Sequence, residues 1–177
     1  MNILVTGANG QLGNEMQVLA KENLQHTYFF TDVQELDICD EQAVYAYVSE
    51  HKIDVIVNCA AYTAVDKAED DAEFSDKLNN VAPGYLARAA HANGAAMIQV
   101  STDYVFDGTA HIPYTEDQPT CPTSVYGSTK LTGEQNVMNH CEKAMVIRTA
   151  WLYSIYGNNI VKTMIRIGRE RETLGVK

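Results

Sequence analysis

The sequence predicts a doubly wound α/β fold: a parallel sheet with helices on both faces. Three observations carry this. Five short, largely apolar runs alternate with longer segments whose apolar residues recur at helical spacing. The runs lack the in–out alternation of a half-exposed strand, as expected for strands covered on both sides. The first run opens directly into a glycine turn followed by an amphipathic segment.

Ile3-Leu4-Val5 reads as the first strand, ending at Gly7. The segment from about Leu12 to Lys21 places Leu12, Met16, Leu19 and Ala20 on one helical face. Tyr28-Phe29-Phe30 is the second strand, and Glu41 to His51 the next helix. Val55-Ile56-Val57 is the third strand. A helix is expected from about Asp71 to Asn93, with a break or bend at Pro83 and a stop at Asn93-Gly94. Ala96 to Val100 is the fourth strand, and the proline-rich stretch from Asp107 to Ser124 a loop. Tyr126 to His140 is helical, Ala144 to Ile147 the fifth strand, and Asn158 to Arg171 a last helix. Thr173 to Lys177 reads as the approach to a further strand, so the sheet is expected to be incomplete at this end.

The 177 residues suit one domain with its own core. A net charge of −10 argues against a nucleic-acid or anionic-membrane partner, which would call for clustered Lys and Arg. No stretch approaches the ~20 apolar residues of a membrane span. The N-terminus lacks a basic, signal-like region, and a cytoplasmic location is expected by elimination. Cys39, Cys59, Cys121 and Cys141 are widely spaced, and the histidines show no ligand spacing, so no metal is expected.

The sharpest local motif is Thr6-Gly7-Ala8-Asn9-Gly10-Gln11-Leu12-Gly13. Gly7 allows the tight turn, Gly10 lets backbone approach a pyrophosphate at the helix start, and Gly13 lets helix sit close to strand. Asp32 ends the second strand, nineteen residues after Gly13. A carboxylate there accepts hydrogen bonds from an adenosine ribose and repels a 2′-phosphate, which leans toward NADH. Asp37-Ile38 lies where it can border the adenine. These features predict a Rossmann-type dinucleotide-binding domain over residues 1–150.

The second motif is Tyr126-Gly127-Ser128-Thr129-Lys130. Residues i and i+4 share a helix face, so phenol and ammonium can enter one cleft. The ammonium is expected to lower the phenol pKa and hold the nicotinamide ribose, and the phenol to protonate a carbonyl oxygen. The fourth strand runs into Ser101-Thr102-Asp103-Tyr104, where Thr102 is the expected partner of a substrate carbonyl and Ser101 the rival on the opposite face. Small residues after the third strand let a cofactor lie against backbone, and Cys59 reads as buried filler. The acidic set around Asp66 to Glu73 reads as a solvated face or cap.

Together with Val57 to Glu69, Ser101 to Gly108 and Arg148 to Tyr153, these motifs resemble the extended short-chain dehydrogenase/reductase family over nearly the whole chain. The resemblance implies Tyr126 as proton donor, with Lys130 and Thr102 completing the catalytic set. It implies cofactor contacts at Gly10, Gln11, Leu12, Asp37, Ile38, Ala61, Tyr62 and Thr63, and substrate contacts at Thr102, Asp103 and Trp151. NADPH or NADH would serve as cofactor. The implied reaction reduces the 4-keto group of a dTDP-linked 6-deoxy-hexulose. Alternatives are a reductase or epimerase of another nucleotide sugar, or a non-catalytic regulatory subunit; a homodimer is left open. Related 4,6-dehydratases carry Glu where this chain has Tyr104, which disfavours dehydration. Family members continue well past residue 177, so 151–177 is expected to begin a substrate-binding region.

Overall fold

The computed structural model describes residues 1–171 and 173. Five parallel strands form one sheet: β1 (Asn2–Thr6), β2 (Thr27–Thr31), β3 (Val55–Asn58), β4 (Ala96–Thr102) and β5 (Ala144–Thr149). Their order is β2-β1-β3-β4-β5. The chain reverses direction across the sheet between β1 and β3, the point at which open α/β sheets bind ligands. The further strand expected from Thr173 onward lies almost wholly outside the described residues.

The helices are α1 (Gln11–Glu22), α2 (Glu41–Glu50), α3 (Val65–Asp70), α4 (Ala72–Asp76), α5 (Ala82–Ala92), α6 (Val125–His140) and α7 (Ile160–Glu170). Asp40, Ser124 and Asn159 cap α2, α6 and α7, each accepting a main-chain N–H. Such caps contribute about 1 kcal/mol apiece. Gly94, at φ +70°, follows α5 where a stop was expected.

The expected single helix over 71–93 is instead several pieces. Its break falls at Asp71, where φ is −128°, and Pro83 sits unbroken in the first turn of α5. Upstream, Lys77–Val81 forms a wide π-turn. Proline has no N–H, so the Asn79 carbonyl four residues earlier loses its helical donor. The wider register takes up that mismatch.

The two sheet faces are not covered equally. On one, Leu4, Ile56 and Met97 meet Val44 and Val48 of α2, Leu86 and Ala90 of α5, and Val137 of α6. On the other, Ile3, Val5 and Val57 meet Met16 of α1. Beyond α1 that face opens: Met145 is 58% and Ile147 45% exposed. Helices thus lie on both faces as expected, and the sheet is open on the β5 side, where it was expected to be incomplete.

Candidate active site

Every strand is parallel, so all five carboxyl ends lie along one edge. In spatial order that edge presents Asp32, Gly7, Ala60, Thr102 and Ala150. From β2 to β4 is three inter-strand spacings of about 4.8 Å, or about 14 Å, a span suited to an extended dinucleotide.

The glycine turn is built as its spacing requires. Gly7 holds φ +64°, in the left-handed region that disfavours a side chain. An ideal Cβ on Gly13 would stand 2.3 Å from the Gly7 carbonyl oxygen, so α1 can approach β1 only with glycine there. Gly10 caps α1 in extended backbone, and the N–H groups of Gln11, Leu12 and Gly13 form the first turn, where no preceding carbonyl can take them. These donors and the bare glycine backbone fit a pyrophosphate. Asp32 reaches the same turn: its carboxylate accepts the Asn9 N–H at 3.1 Å.

Opposite the turn, Tyr126 and Lys130 both point inward to the end of β4, 8% and 3% exposed. Lys130 Nζ donates to the Val100 carbonyl at 2.7 Å. Burial pushes its pKa down to about 8, with Glu134 countering. Burial also raises the Tyr126 pKa; the nearby Thr102 hydroxyl opposes this, and Asp103 and Tyr104 add to it. The expected lowering of the phenol by Lys130 is therefore not what this geometry gives. The ammonium is engaged with Val100, and desolvation of the phenolate dominates. The phenol stays protonated at neutral pH, as a proton donor must be.

Between the rival hydroxyls, Thr102 is the one that bears on the phenol, offsetting part of that rise. It donates to Asp103 Oδ1 at 3.1 Å and accepts the Tyr104 N–H at 3.2 Å. The Ser101 hydroxyl is buried with no partner among the described residues. Tyr104 stands edge-on to Tyr126, ring centroids 5.5 Å apart. Asp103 also borders an open cleft of about 940 Å³ along β5 and α6.

A buried polar network supports this corner, and sequence reading missed it. Thr6 donates to Asn58 at 2.6 Å, Asn58 to Gln99 at 2.8 Å, and Gln99 to the Val100 carbonyl at 3.0 Å. Asn79, 1% exposed, takes the Tyr62 N–H at 2.9 Å and returns a bond to the Tyr62 carbonyl at 3.1 Å. The same amide touches Ser75 and Thr129. The loop carrying Ala61, Tyr62 and Thr63 is thus fixed to the helix bearing Tyr126 and Lys130. Ser75 and Asn79, at helical spacing with the buried Ala82 and Leu86, were the available signal. Arg148 grips Glu134 with two nitrogens, the shortest contact 2.7 Å, joining β5 to α6.

The remaining expected residues are placed less directly. Asp37 is exposed and accepts the Cys39 N–H at 2.9 Å, shaping the turn before α2. The Ile38 side chain lies in the main core, leaving main chain to face a nucleotide. Trp151 is 68% exposed at φ +52°, on the segment after β5. All four cysteines are free, and burial pushes the Cys59 thiol up to about 12, fitting inert filler. Among the described residues no cluster of three His, Cys, Asp or Glu suits a metal, and no helix is long and apolar enough to cross a membrane.

The profile of the family described as "RmlD substrate binding domain" matches residues 1–177. The chain is 43% identical over 182 residues to the dTDP-4-dehydrorhamnose reductase of Salmonella typhimurium, covering 99% of this chain and 60% of that protein. To the Streptomyces griseus protein of the same name it is 44% identical, covering 97% of this chain and 56% of that one. Among solved structures, the dTDP-4-dehydrorhamnose reductase ortholog of Clostridium acetobutylicum superposes with TM-score 0.94 at 49% identity, over 98% of this chain and 61% of that one. The Bacillus anthracis enzyme in complex with NADP gives 0.92 at 40%, over 97% and 60%. The chain thus spans about 60% of the length of these relatives. With the glycine turn, the Tyr126–Lys130 corner and these likenesses in agreement, the chain belongs to the RmlD substrate-binding-domain family.

Proposed function

We propose that this chain carries the cofactor-binding and catalytic part of a dTDP-4-dehydrorhamnose reductase. The reaction is NADPH- or NADH-dependent reduction of dTDP-6-deoxy-L-lyxo-4-hexulose at C4 to dTDP-L-rhamnose. The observation that carries this is the buried Tyr126–Lys130 pair at the end of β4, across the edge from a glycine turn with free first-turn donors. The relatives' names supply the sugar.

In this reading the first turn of α1 holds the pyrophosphate, Asp32 faces the adenosine ribose, and the Asn79-fixed Ala61–Thr63 loop lines the middle of the cofactor. Lys130 holds the nicotinamide ribose. When bound, the reduced nicotinamide supplies the hydride that the carbonyl carbon takes up. Thr102 orients the carbonyl, and Tyr126 gives its proton to the oxygen, so the ketone becomes an alcohol. Asp103 and Trp151 contact the sugar nucleotide.

The test is NADPH consumption with the dTDP-linked 4-keto sugar, using a form that carries the relatives' full length. We expect turnover with this substrate, dTDP-L-rhamnose as product, and weaker turnover with UDP-linked ketones. Preference for a UDP-ketone would favour a reductase of another nucleotide sugar. Asp32→Ala is expected to shift cofactor preference toward NADPH by about tenfold, an energy of about 1.4 kcal/mol, as ribose contact and phosphate repulsion are both lost. Parallel Kd measurements for the two cofactors check it.

A further inference from the structure

The segment after β5 contains neither helix nor strand from Ala150 to Asn159, and most of it is exposed. Its shape is set by side chains that seize its carbonyls. Gln11 Nε2 donates to the Leu152 carbonyl at 2.8 Å. Asn159 Nδ2 donates to the Ser154 carbonyl at 2.8 Å and to Gln11 Oε1 at 2.9 Å. Lys162 Nζ takes the carbonyls of Ile155 and Gly157. Gly157 lies against the Gln11 stem, an ideal Cβ there standing 3.4 Å from Gln11 Cβ. Of these three side chains, Gln11 alone comes from the glycine turn.

One residue before Leu152, Trp151 holds φ +52°. That region is costly for a bulky side chain, and such strain persists only where surroundings impose it. The grip on Leu152 is the constraint nearest to it. Gln11 therefore faces two ways. Its main-chain N–H belongs to the first turn of α1, while its side-chain amide uses its donor on Leu152 and its acceptor on Asn159.

We propose that Gln11 is a positioning residue that couples the cofactor turn to the backbone carrying Trp151, so that a bound dinucleotide fixes the substrate-side segment before the sugar arrives. This rests on the cofactor reading above. A pyrophosphate held by the first turn of α1 immobilises the Gln11 backbone, and the clasp passes that order to Leu152 and Asn159.

The test is chymotrypsin cleavage at Trp151, Leu152 and Tyr153 in this chain, with and without NADPH. Gln11→Met keeps the side-chain length and loses both clasp bonds. Asn159→Asp loses the bonds to Gln11 and to the Ser154 carbonyl, and its carboxylate, which only accepts, competes with Leu152 for the Gln11 Nε2; it keeps the α7 cap, because a carboxylate still accepts the Lys162 N–H. Without cofactor, each variant is expected to be cleaved about tenfold faster than wild type, with an unchanged melting transition. NADPH is expected to slow cleavage of wild type about tenfold while leaving Asn159→Asp unprotected, although calorimetry shows that variant still binding NADPH. Unchanged cleavage in both variants would overturn the clasp. Equal protection of wild type and Asn159→Asp by bound NADPH would overturn the coupling alone. Failure of wild type to bind NADPH at all would overturn the cofactor reading and the coupling with it.

Discussion

The corner where β4 meets the start of α6 and the stretch from Trp151 to Glu170 are built in opposite ways. In the corner, Tyr126, Thr129, Lys130 and Glu134 are each less than a tenth exposed. Lys130 shares the Val100 carbonyl with a chain through Gln99, Asn58 and Thr6, Thr129 is held by Asn79, and Glu134 is paired with Arg148. In the later stretch, Trp151, Tyr153, Ile155 and Ile165 are all more than half exposed, and α7 buries nothing. The proposed chemistry thus resides in a region whose order comes from burial. The part expected to meet the sugar depends on a few hydrogen bonds to carbonyls. Removing one buried polar partner costs more than removing an exposed one, because the group left behind stays dry.

Helix glycines give the sharpest contrast. An ideal Cβ on Gly133 of α6 would stand 2.0 Å from the Asn79 carbonyl oxygen, where the π-turn leans on the helix. Gly133→Ala is expected to cost about 3 kcal/mol, read from urea unfolding, since helix and π-turn must separate. Asn79→Ala comes next. It removes both bonds to Tyr62 and is expected to cost about 2 kcal/mol. It should also weaken NADPH binding, which calorimetry reads, by freeing the Ala61–Thr63 loop. If that loop stays ordered and affinity is unchanged, the network matters to folding only.

The buried ammonium adds a pH signature. Lys130 titrates near 8 when folded against an ordinary 10.5. Between those values the unfolded chain holds the extra proton, so this group's contribution to stability rises with pH. Cys59, pushed up to about 12 from 9.0, acts in the opposite sense, because the unfolded thiol ionises first. Lys130→Met retains the cysteine and removes the lysine. The stability of wild type minus that of Lys130→Met should therefore rise between pH 8 and 10, by about 1–3 kcal/mol. A flat difference would place the ammonium in water. The smallest effect lies in the open region and has the opposite sign from Gly133. Nothing lies within 4 Å of an ideal Cβ on Gly168, so Gly168→Ala should raise stability by about 0.5–1 kcal/mol through helix propensity.

This contrast also explains what was legible in the sequence. Strands such as Val55–Asn58 and Ala144–Thr149 declare themselves because a strand between two layers is a short apolar run. Gly7 and Gly13 declare themselves because backbone geometry leaves no other residue type. The polar network does not, because Asn58 and Gln99 are single polar residues at strand positions whose partners are set by register across β3 and β4. Pro83 suggests a break, yet proline is compatible with a first helical turn, and the irregularity moved upstream to Lys77–Val81. The direction of the Tyr126 shift is hidden from the sequence for a similar reason. Spacing puts a lysine one turn away, but only the fold reveals that its ammonium is occupied by Val100.

The central claim is that Tyr126 delivers the proton in an NADPH-dependent ketone reduction. The most direct measurement compares Tyr126→Phe with wild type, in a form of the relatives' full length, for both NADPH affinity and single-turnover reduction of the dTDP-linked 4-keto sugar. The account predicts an almost unchanged Kd and a reduction rate about 10²–10⁴-fold slower, the range for loss of a positioned general acid. A variant that reduces the ketone at the wild-type rate would contradict it.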